Sequence, residues 1–326
     1  GTPYTEVCLF VYGMYLNKIT MAKILIATEK PFAKVAVDGI KEVAETAGLE
    51  IVLLEKYTEK AQLLAAVADV EAMIIRSDKI DNEVFDAAKN LKIVVRAGAG
   101  YDNVDLAAAT AHGVVVMNTP GQNSNAVAEL VFGMLVFAVR NFYNGKAGTE
   151  LKGKKLGILA YGNVGRRVAH IAKGFDMDVY AYDAYCPAAA IESDGVKAVS
   201  SQDELFEKCE VVSLHIPATA ETRQSINYAL VGKMPKGGVL VNTARKEVIN
   251  EPELLKLMQD RTDLKYVTDI MPEADADFRI LEGRYFSTPK KMGAQTAEAN
   301  INAGVAAAHQ IAAFFKDGCT KYQVNK

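Results

Sequence analysis

From position 21 onward the chain alternates two kinds of segment. Short runs dense in aliphatic and β-branched residues predict strands: KILIAT (23–28), EIVLLE (50–55), AMIIRS (72–77), KIVVRAG (92–98) and VVVMN (114–118). Between them apolar residues recur three and four apart, the spacing of one helix face. These helices are predicted at 31–48, 59–69, 82–89 and 104–113, with Gly48 and Gly113 as stops. After the basic turn LKGKK the series resumes with strands at 155–160, 178–183, 210–215, 237–244 and 264–270. Helices are predicted at 163–175, 203–209 and 251–260, and a last one at 295–315. Strands that alternate with helices form parallel sheets covered on both faces. The segment 118–142 holds a helix that is apolar on nearly every side, so burial from several directions is expected, as a domain connector or at a subunit interface.

Length sharpens this to two domains, since 326 residues exceed one ordinary domain. Charge removes whole classes of function. With 37 basic and 40 acidic residues there is no basic footprint for nucleic acid and no polybasic membrane signal. The longest apolar run, 127–139, is broken by Glu129 and Gly133 and does not predict a membrane span. The cysteines (8, 186, 209 and 319) form no C-x-x-C pair and only four histidines exist, so neither a zinc site nor a disulfide framework is expected. Scattered thiols fit a reducing, cytoplasmic setting. Residues 1–20 match neither pattern and lack the basic start and cleavage site of a signal peptide. They are read as an appended extension ahead of a native start at Met21, with an edge strand as the alternative.

One local pattern carries chemistry. LGILAYGNVGRRVAHIA runs strand, glycine turn, helix, with Gly162 and Gly165 as the last two glycines of G-x-G-x-x-G and Ala160 replacing the first. Gly162 would let the backbone approach a pyrophosphate, and Gly165 would let helix and strand pack closely. The helix N-terminus offers unpaired N–H groups to an anion. Asp183 ends the next strand, 18 residues after Gly165. A carboxylate there accepts from both ribose hydroxyls and repels the extra phosphate of NADP, so NAD is the expected cofactor.

Combined with VVRAGAGYDNVDL (94–106) and LVNTARKEVIN (240–250), this late fingerprint resembles the D-isomer-specific 2-hydroxyacid dehydrogenases. The segment MNTPGQNSNAVAEL (117–130) resembles their 3-phosphoglycerate dehydrogenase branch, and the resemblance covers residues 22–326. It implies an α/β protein of two doubly wound parallel-sheet domains with a cleft between them. A flavodoxin-like substrate domain would comprise 21–118 and 291–326, and an inserted Rossmann NAD-binding domain 119–290. The C-terminal serine-sensing domain of longer members would be missing. A homodimer is the expected assembly.

The resemblance also assigns roles. Arg245, in NTAR, would grip the substrate carboxylate and polarise the C2 oxygen, although Lys246 and Glu247 stand where the family has two glycines. The family's P-H-x-G-A-x-T-x-E-A reads here as STPKKMGAQTAEA, which puts Lys291 in place of the histidine general acid/base, as in a short-chain sub-group. Lysine ordinarily titrates near 10.4, so charged Lys291 is a ready proton donor for reduction but must lose a proton for oxidation. The glutamate that orients the base would be Glu273 after a one-residue shift, or else Asp275. Arg76, Ser77 and Arg96 resemble the family's contacts to a substrate phosphate, the turn around Ala99 and Gly100 would face the carboxylate, and Asn123 would reach the substrate. Gly162, Asn163, Val164, Gly165, Asp183, His215, Pro217, Thr222, Thr243, Ala244, Asp269 and Gly293 would line the cofactor, with His215 as fallback proton carrier. His112 reads as a helix cap, and His170 and His309 as structural.

The implied reaction is NAD-dependent oxidation of 3-phospho-D-glycerate to 3-phosphohydroxypyruvate, the opening step of serine synthesis. The same chemistry on an unphosphorylated acid such as glycerate is the first alternative. An NAD-sensing, corepressor-like binding protein is the second.

Overall fold

The computed structural model describes residues 21–326. The readings made for the first twenty residues, Cys8 among them, lie outside the described residues. The chain divides into two compact units, one running to Thr119 and resuming at Ile301, the other Pro120–Asn300. The second boundary therefore falls inside the last helix rather than at 290/291. Residues 291–293 stay with the second unit because Lys291 and Gly293 bond to Ala244 and Asp269, at the ends of two of its strands.

The first unit runs β1 (Lys23–Thr28), α1 (Lys34–Thr46), β2 (Glu50–Glu55), α2 (Lys60–Val67), β3 (Ala72–Ile75), α3 (Asn82–Ala87), β4 (Ile93–Arg96), α4 (Leu106–Ala111) and β5 (Val115–Asn118). Its sheet has the order β2-β1-β3-β4-β5, with every pairing parallel. This is the flavodoxin-like order. The period-2 geometry of a strand sends alternate residues to opposite faces. Leu25, Met73 and Val94 accordingly pack under α2 and α3, while Ile24, Ile74 and Ile93 pack under α1 and the last helix, through its Ala303, Ala307 and Ile311. His112 ends α4 as a cap, its Nδ1 meeting the Ala108 carbonyl at 2.8 Å. The chain end covers the β5 edge: the Val116 N–H donates to Asn325 Oδ1 at 2.8 Å, and the Val324 N–H to the Val116 carbonyl at 2.9 Å.

The second unit runs α5 (Ser124–Val139), β6 (Lys155–Leu159), α6 (Asn163–Gly174), β7 (Asp178–Tyr182), α7 (Ala188–Glu192), β8 (Lys197–Ala198), α8 (Gln202–Lys208), β9 (Val211–Leu214), α9 (Tyr228–Val231), β10 (Val239–Asn242), α10 (Glu251–Asp260), β11 (Lys265–Thr268), α11 (Asp275–Arg279), β12 (Tyr285–Ser287) and the start of α12 (Ala297–Asp317). The strand order is β12-β11-β10-β9-β6-β7-β8, again all parallel. Helix α5 is buried along nearly its whole length against α6 and the sheet, as its apolar surface requires. Strands β1 and β2 fill their predicted runs, while the other predicted strands are shorter, and residues trimmed from their C-terminal ends, such as Arg76, Asp183 and Asp269, belong to the loops.

Candidate functional site

Because every strand of the second sheet points the same way, all the β-to-α loops emerge at one edge. The order reverses at β6, whose neighbours are β7 and β9, and an open α/β sheet binds ligands at such a switch point. The residues singled out after β6, β7, β9, β10, β11 and β12 share this edge.

The turn after β6 explains its own composition. A Cβ on Gly165 would lie 2.4 Å from the Ala160 carbonyl oxygen and 3.0 Å from Ile158 Cγ2, so only glycine lets α6 pack here. A Cβ on Gly162 would meet nothing within 4 Å, so packing within the chain does not require that glycine. Ala160 has φ +77°, the left-handed region where a side chain costs about 1–2 kcal/mol. Ala160→Gly is therefore expected to raise stability by about 1 kcal/mol, read as a higher denaturation midpoint, with the fold unchanged.

Asp183, just past β7, accepts the Tyr161 N–H at 2.7 Å on Oδ2 and the Tyr185 and Cys186 N–H groups at 2.7 and 2.9 Å on Oδ1. Burial works against its charge, yet these three donors and the nearby Arg166 hold the carboxyl below its usual range. It is a fixed carboxylate tied to the glycine turn. Past β9, Thr222 Oγ1 donates to the Pro217 carbonyl at 2.5 Å and closes that loop.

The His215 ring lies 2.9 Å from Ser213 Oγ, and loss of water around it pushes its pKa down from 6.5 to about 3. This shift favours the neutral imidazole at pH 7. Between these two values the unfolded chain binds a proton that the folded chain does not. Stability is then complete above pH 6.5 and falls on acidification, by at most about 1.4 kcal/mol per pH unit. His215→Asn should flatten that slope in urea melts compared between about pH 5 and pH 7.

The ends of β10, β11 and β12 bring together residues distant in sequence. Asn242, fully buried, accepts the Ala244 N–H at 2.9 Å and donates to the Arg245 carbonyl at 3.0 Å, which braces the NTAR turn. In the sequence the only signal of Asn242 is an amide ending a buried strand. The Ala244 carbonyl accepts Arg245 Nη1 at 2.9 Å and Lys291 Nζ at 3.0 Å, so two cations share one acceptor. Lys246 and Glu247 begin a single 3-10 turn, and neither has positive φ, so the turn tolerates the loss of glycines.

Asp269 is fully buried beside them. Its Oδ2 accepts the Gly293 N–H at 2.7 Å, while Oδ1 has no hydrogen-bond partner among the described residues. Burial lifts this carboxyl above its usual range, against the pull of the Gly293 N–H, Lys291, the Met292 N–H and Arg245. A Cβ on Gly293 would lie 2.8 Å from Asp269 Oδ2, so the glycine makes room for the acid. Thr243 Oγ1, on the neighbouring strand end, is likewise buried without a hydrogen-bond partner among the described residues. The expected acids sit elsewhere. Glu273 accepts Lys246 Nζ at 2.9 Å, and Asp275 accepts the Tyr285 hydroxyl and Arg279 Nε, each at 2.6 Å. The structure thus pairs Glu273 with Lys246 rather than with Lys291, because the 3-10 turn carries Lys246 toward the loop after β11.

In the first unit Arg76 and Arg96 stand at neighbouring strand ends, as expected. Arg96 Nε donates to the Arg76 carbonyl at 3.0 Å, and Arg76 Nη1 donates to the Lys30 and Pro31 carbonyls at 3.1 Å. Arg96 Nη1 occupies the place where a Cβ on Gly98 (φ +152°) would sit, so the glycine turn leading to Ala99 and Gly100 is shaped around this guanidinium. Ser77 is exposed beside Arg76. In the second unit Asn123 begins α5 without a side-chain capping bond.

Residues 134–285 match the family described as D-isomer specific 2-hydroxyacid dehydrogenase, NAD binding domain. A hydroxypyruvate reductase of Thermotoga maritima is 34% identical over 80% of this chain and 90% of its own length. The chain belongs to the D-isomer-specific 2-hydroxyacid dehydrogenases. Among solved structures, the NAD+-bound 3-phosphoglycerate dehydrogenase of Entamoeba histolytica is 48% identical, with a TM-score of 0.84 over 94% of this chain and 99% of that one. A D-3-phosphoglycerate dehydrogenase of Methanocaldococcus jannaschii is 33% identical over 84% of this chain. The chain spans about half the length of that relative, 55%. Among the described residues no helix is long and apolar enough to cross a membrane, and no cluster of metal-ligating side chains forms.

Proposed function

We propose that this dehydrogenase interconverts 3-phospho-D-glycerate and 3-phosphohydroxypyruvate with NAD. The observation that carries the proposal is the convergence of Lys291 and Arg245 on the Ala244 carbonyl beside buried Asp269. The residues present fit the cofactor. Gly162 leaves open space, Asp183 is a fixed carboxylate for the ribose, and Thr243 Oγ1 and Asp269 Oδ1, with no hydrogen-bond partner among the described residues, suit a polar amide. Bound there, NAD supplies the carbon that accepts or returns the hydride at C2. Arg245 holds the substrate carboxylate, for which a planar guanidinium is suited. Lys291 gives a proton to the C2 oxygen in reduction and takes it in oxidation. Arg76 and Arg96 are the proposed phosphate ligands.

The relative named hydroxypyruvate reductase supports a second reading, the same reaction on the unphosphorylated acid. NADH-linked reduction of 3-phosphohydroxypyruvate and hydroxypyruvate, by wild type and Arg96→Glu, separates the two. The proposal expects Arg96→Glu to lower kcat/KM for the phosphorylated acid by about 100-fold or more and to spare hydroxypyruvate. Equal losses on both would remove Arg96 from phosphate recognition.

A further inference from the structure

Asp78 takes no part in the chemistry described so far. It lies two residues past Arg76, on the loop after β3, and is 2% exposed. A carboxylate this deep needs partners for its oxygens. Its Oδ1 accepts the Glu29 N–H at 2.7 Å and the Tyr57 hydroxyl at 2.9 Å, and its Oδ2 accepts the Arg76 N–H at 3.2 Å. One side chain therefore ties together the loops that leave β1, β2 and β3 at one edge of the first sheet. Tyr57 is itself buried, and burial together with the Asp78 contact pushes its hydroxyl pKa up, so it stays a donor. The loop is also braced from the segment after β4. Asn103 Nδ2 donates to the Asp78 carbonyl at 2.7 Å and to the Arg76 carbonyl at 3.2 Å. Farther along, the Ile80 N–H donates to the Asn103 carbonyl at 2.9 Å, so the far end of the loop is fixed without the Asp78 side chain.

We infer that Asp78 is a positioning residue that sets the backbone of Arg76 and Ser77 for recognition of the substrate phosphate. The inference rests on Arg76 being a phosphate ligand, as proposed above. Charge and geometry make opposite demands here. A carboxylate near a bound phosphate repels it, whereas a brace that aims a guanidinium favours binding. The brace should prevail, because three donors converge on the carboxylate and one of them is the Arg76 N–H itself. Burial works against the charge of Arg76, and Asp78 draws it back toward the charged form.

The test is steady-state reduction of 3-phosphohydroxypyruvate and hydroxypyruvate with NADH by wild type, Asp78→Asn, Asn103→Ala and Arg76→Ala. Asparagine keeps the size of the side chain but has a single acceptor oxygen. That oxygen should stay with Glu29 and Tyr57, whose bonds are the shorter, and leave the Arg76 N–H without its partner. Asp78→Asn is expected to raise KM for the phosphorylated acid about tenfold relative to KM for hydroxypyruvate, with a smaller change in kcat. Asn103→Ala releases the same loop from its other side and should act in the same direction, which covers the case in which Asp78→Asn does not fold. A KM for the phosphorylated acid that stays constant or falls overturns the inference, and a fall would mean that Asp78 acts through its charge. Equal losses on both acids would leave Asp78 a purely structural residue and overturn it as well. If Arg76→Ala treats the two acids alike, the phosphate-ligand reading fails instead, which keeps the two failures distinct.

Discussion

Lys291→Ala is expected to lower kcat for keto-acid reduction by about 10²–10⁴-fold, the usual contribution of a positioned acid/base group, while NADH still binds. The Nζ is held at 3.0 Å by the Ala244 carbonyl, the same oxygen that accepts Arg245 Nη1, so the proposed proton donor and the proposed carboxylate ligand keep a fixed relation. Both cations lie near buried Asp269, and each draws that carboxyl toward its charged form against burial. The sign of the pH dependence follows from the charge. Reduction uses the ammonium and should fall as pH rises through its titration, and oxidation uses the amine and should rise over the same interval. Lys291→His should move both limbs down toward the ordinary histidine value of about 6.5. Steady-state rates in both directions from neutral to alkaline pH test this. An oxidation rate that stays flat over that range in wild type would contradict it.

The two glycines of the phosphate turn should fail in different ways when replaced. Gly165→Ala is expected to destabilise the fold by roughly 2–3 kcal/mol, since its Cβ would meet a backbone carbonyl at 2.4 Å that cannot swing aside. Gly162→Val should cost less than about 1 kcal/mol of stability, the loss of a favourable helix cap, because the space around its Cβ is empty. That space, at the N-terminus of α6, is the proposed place of the pyrophosphate. Gly162→Val should therefore weaken NADH binding by about 100-fold or more through overpacking against the ligand. Melting curves with and without NADH separate the outcomes. A Gly162→Val protein that is as stable as wild type and still shifts fully with NADH would move the cofactor elsewhere.

The α/β layout was legible because most core strands are nearly continuous apolar runs and helices such as α1, α6 and α10 show the 3.6 period. The parallel direction then follows, and it brings Gly162, Asp183, His215, Arg245 and Asp269 to one edge although up to 107 positions separate them in the chain. Other features depend on tertiary geometry. Helix α7 and strands β8 and β12 span 5, 2 and 3 residues, too short to display a period. The left-handed conformation of Ala160 is set by the turn and not by any preference of alanine. Asn242 looked like one more residue of an apolar strand, and its bracing of the turn shows only once Ala244 and Arg245 fold back over it. Glu273 could be aligned by motif to the base-orienting position, but Lys246 engages it, and the sequence alone does not show that the two meet.

The most direct test of the central claim is the rate of NADH loss on mixing the wild-type protein with 3-phosphohydroxypyruvate, with hydroxypyruvate as the parallel substrate. The account predicts rapid turnover of the phosphorylated acid and much slower turnover of the unphosphorylated one. A protein that binds NADH yet consumes neither acid, or that strongly prefers hydroxypyruvate, would contradict it.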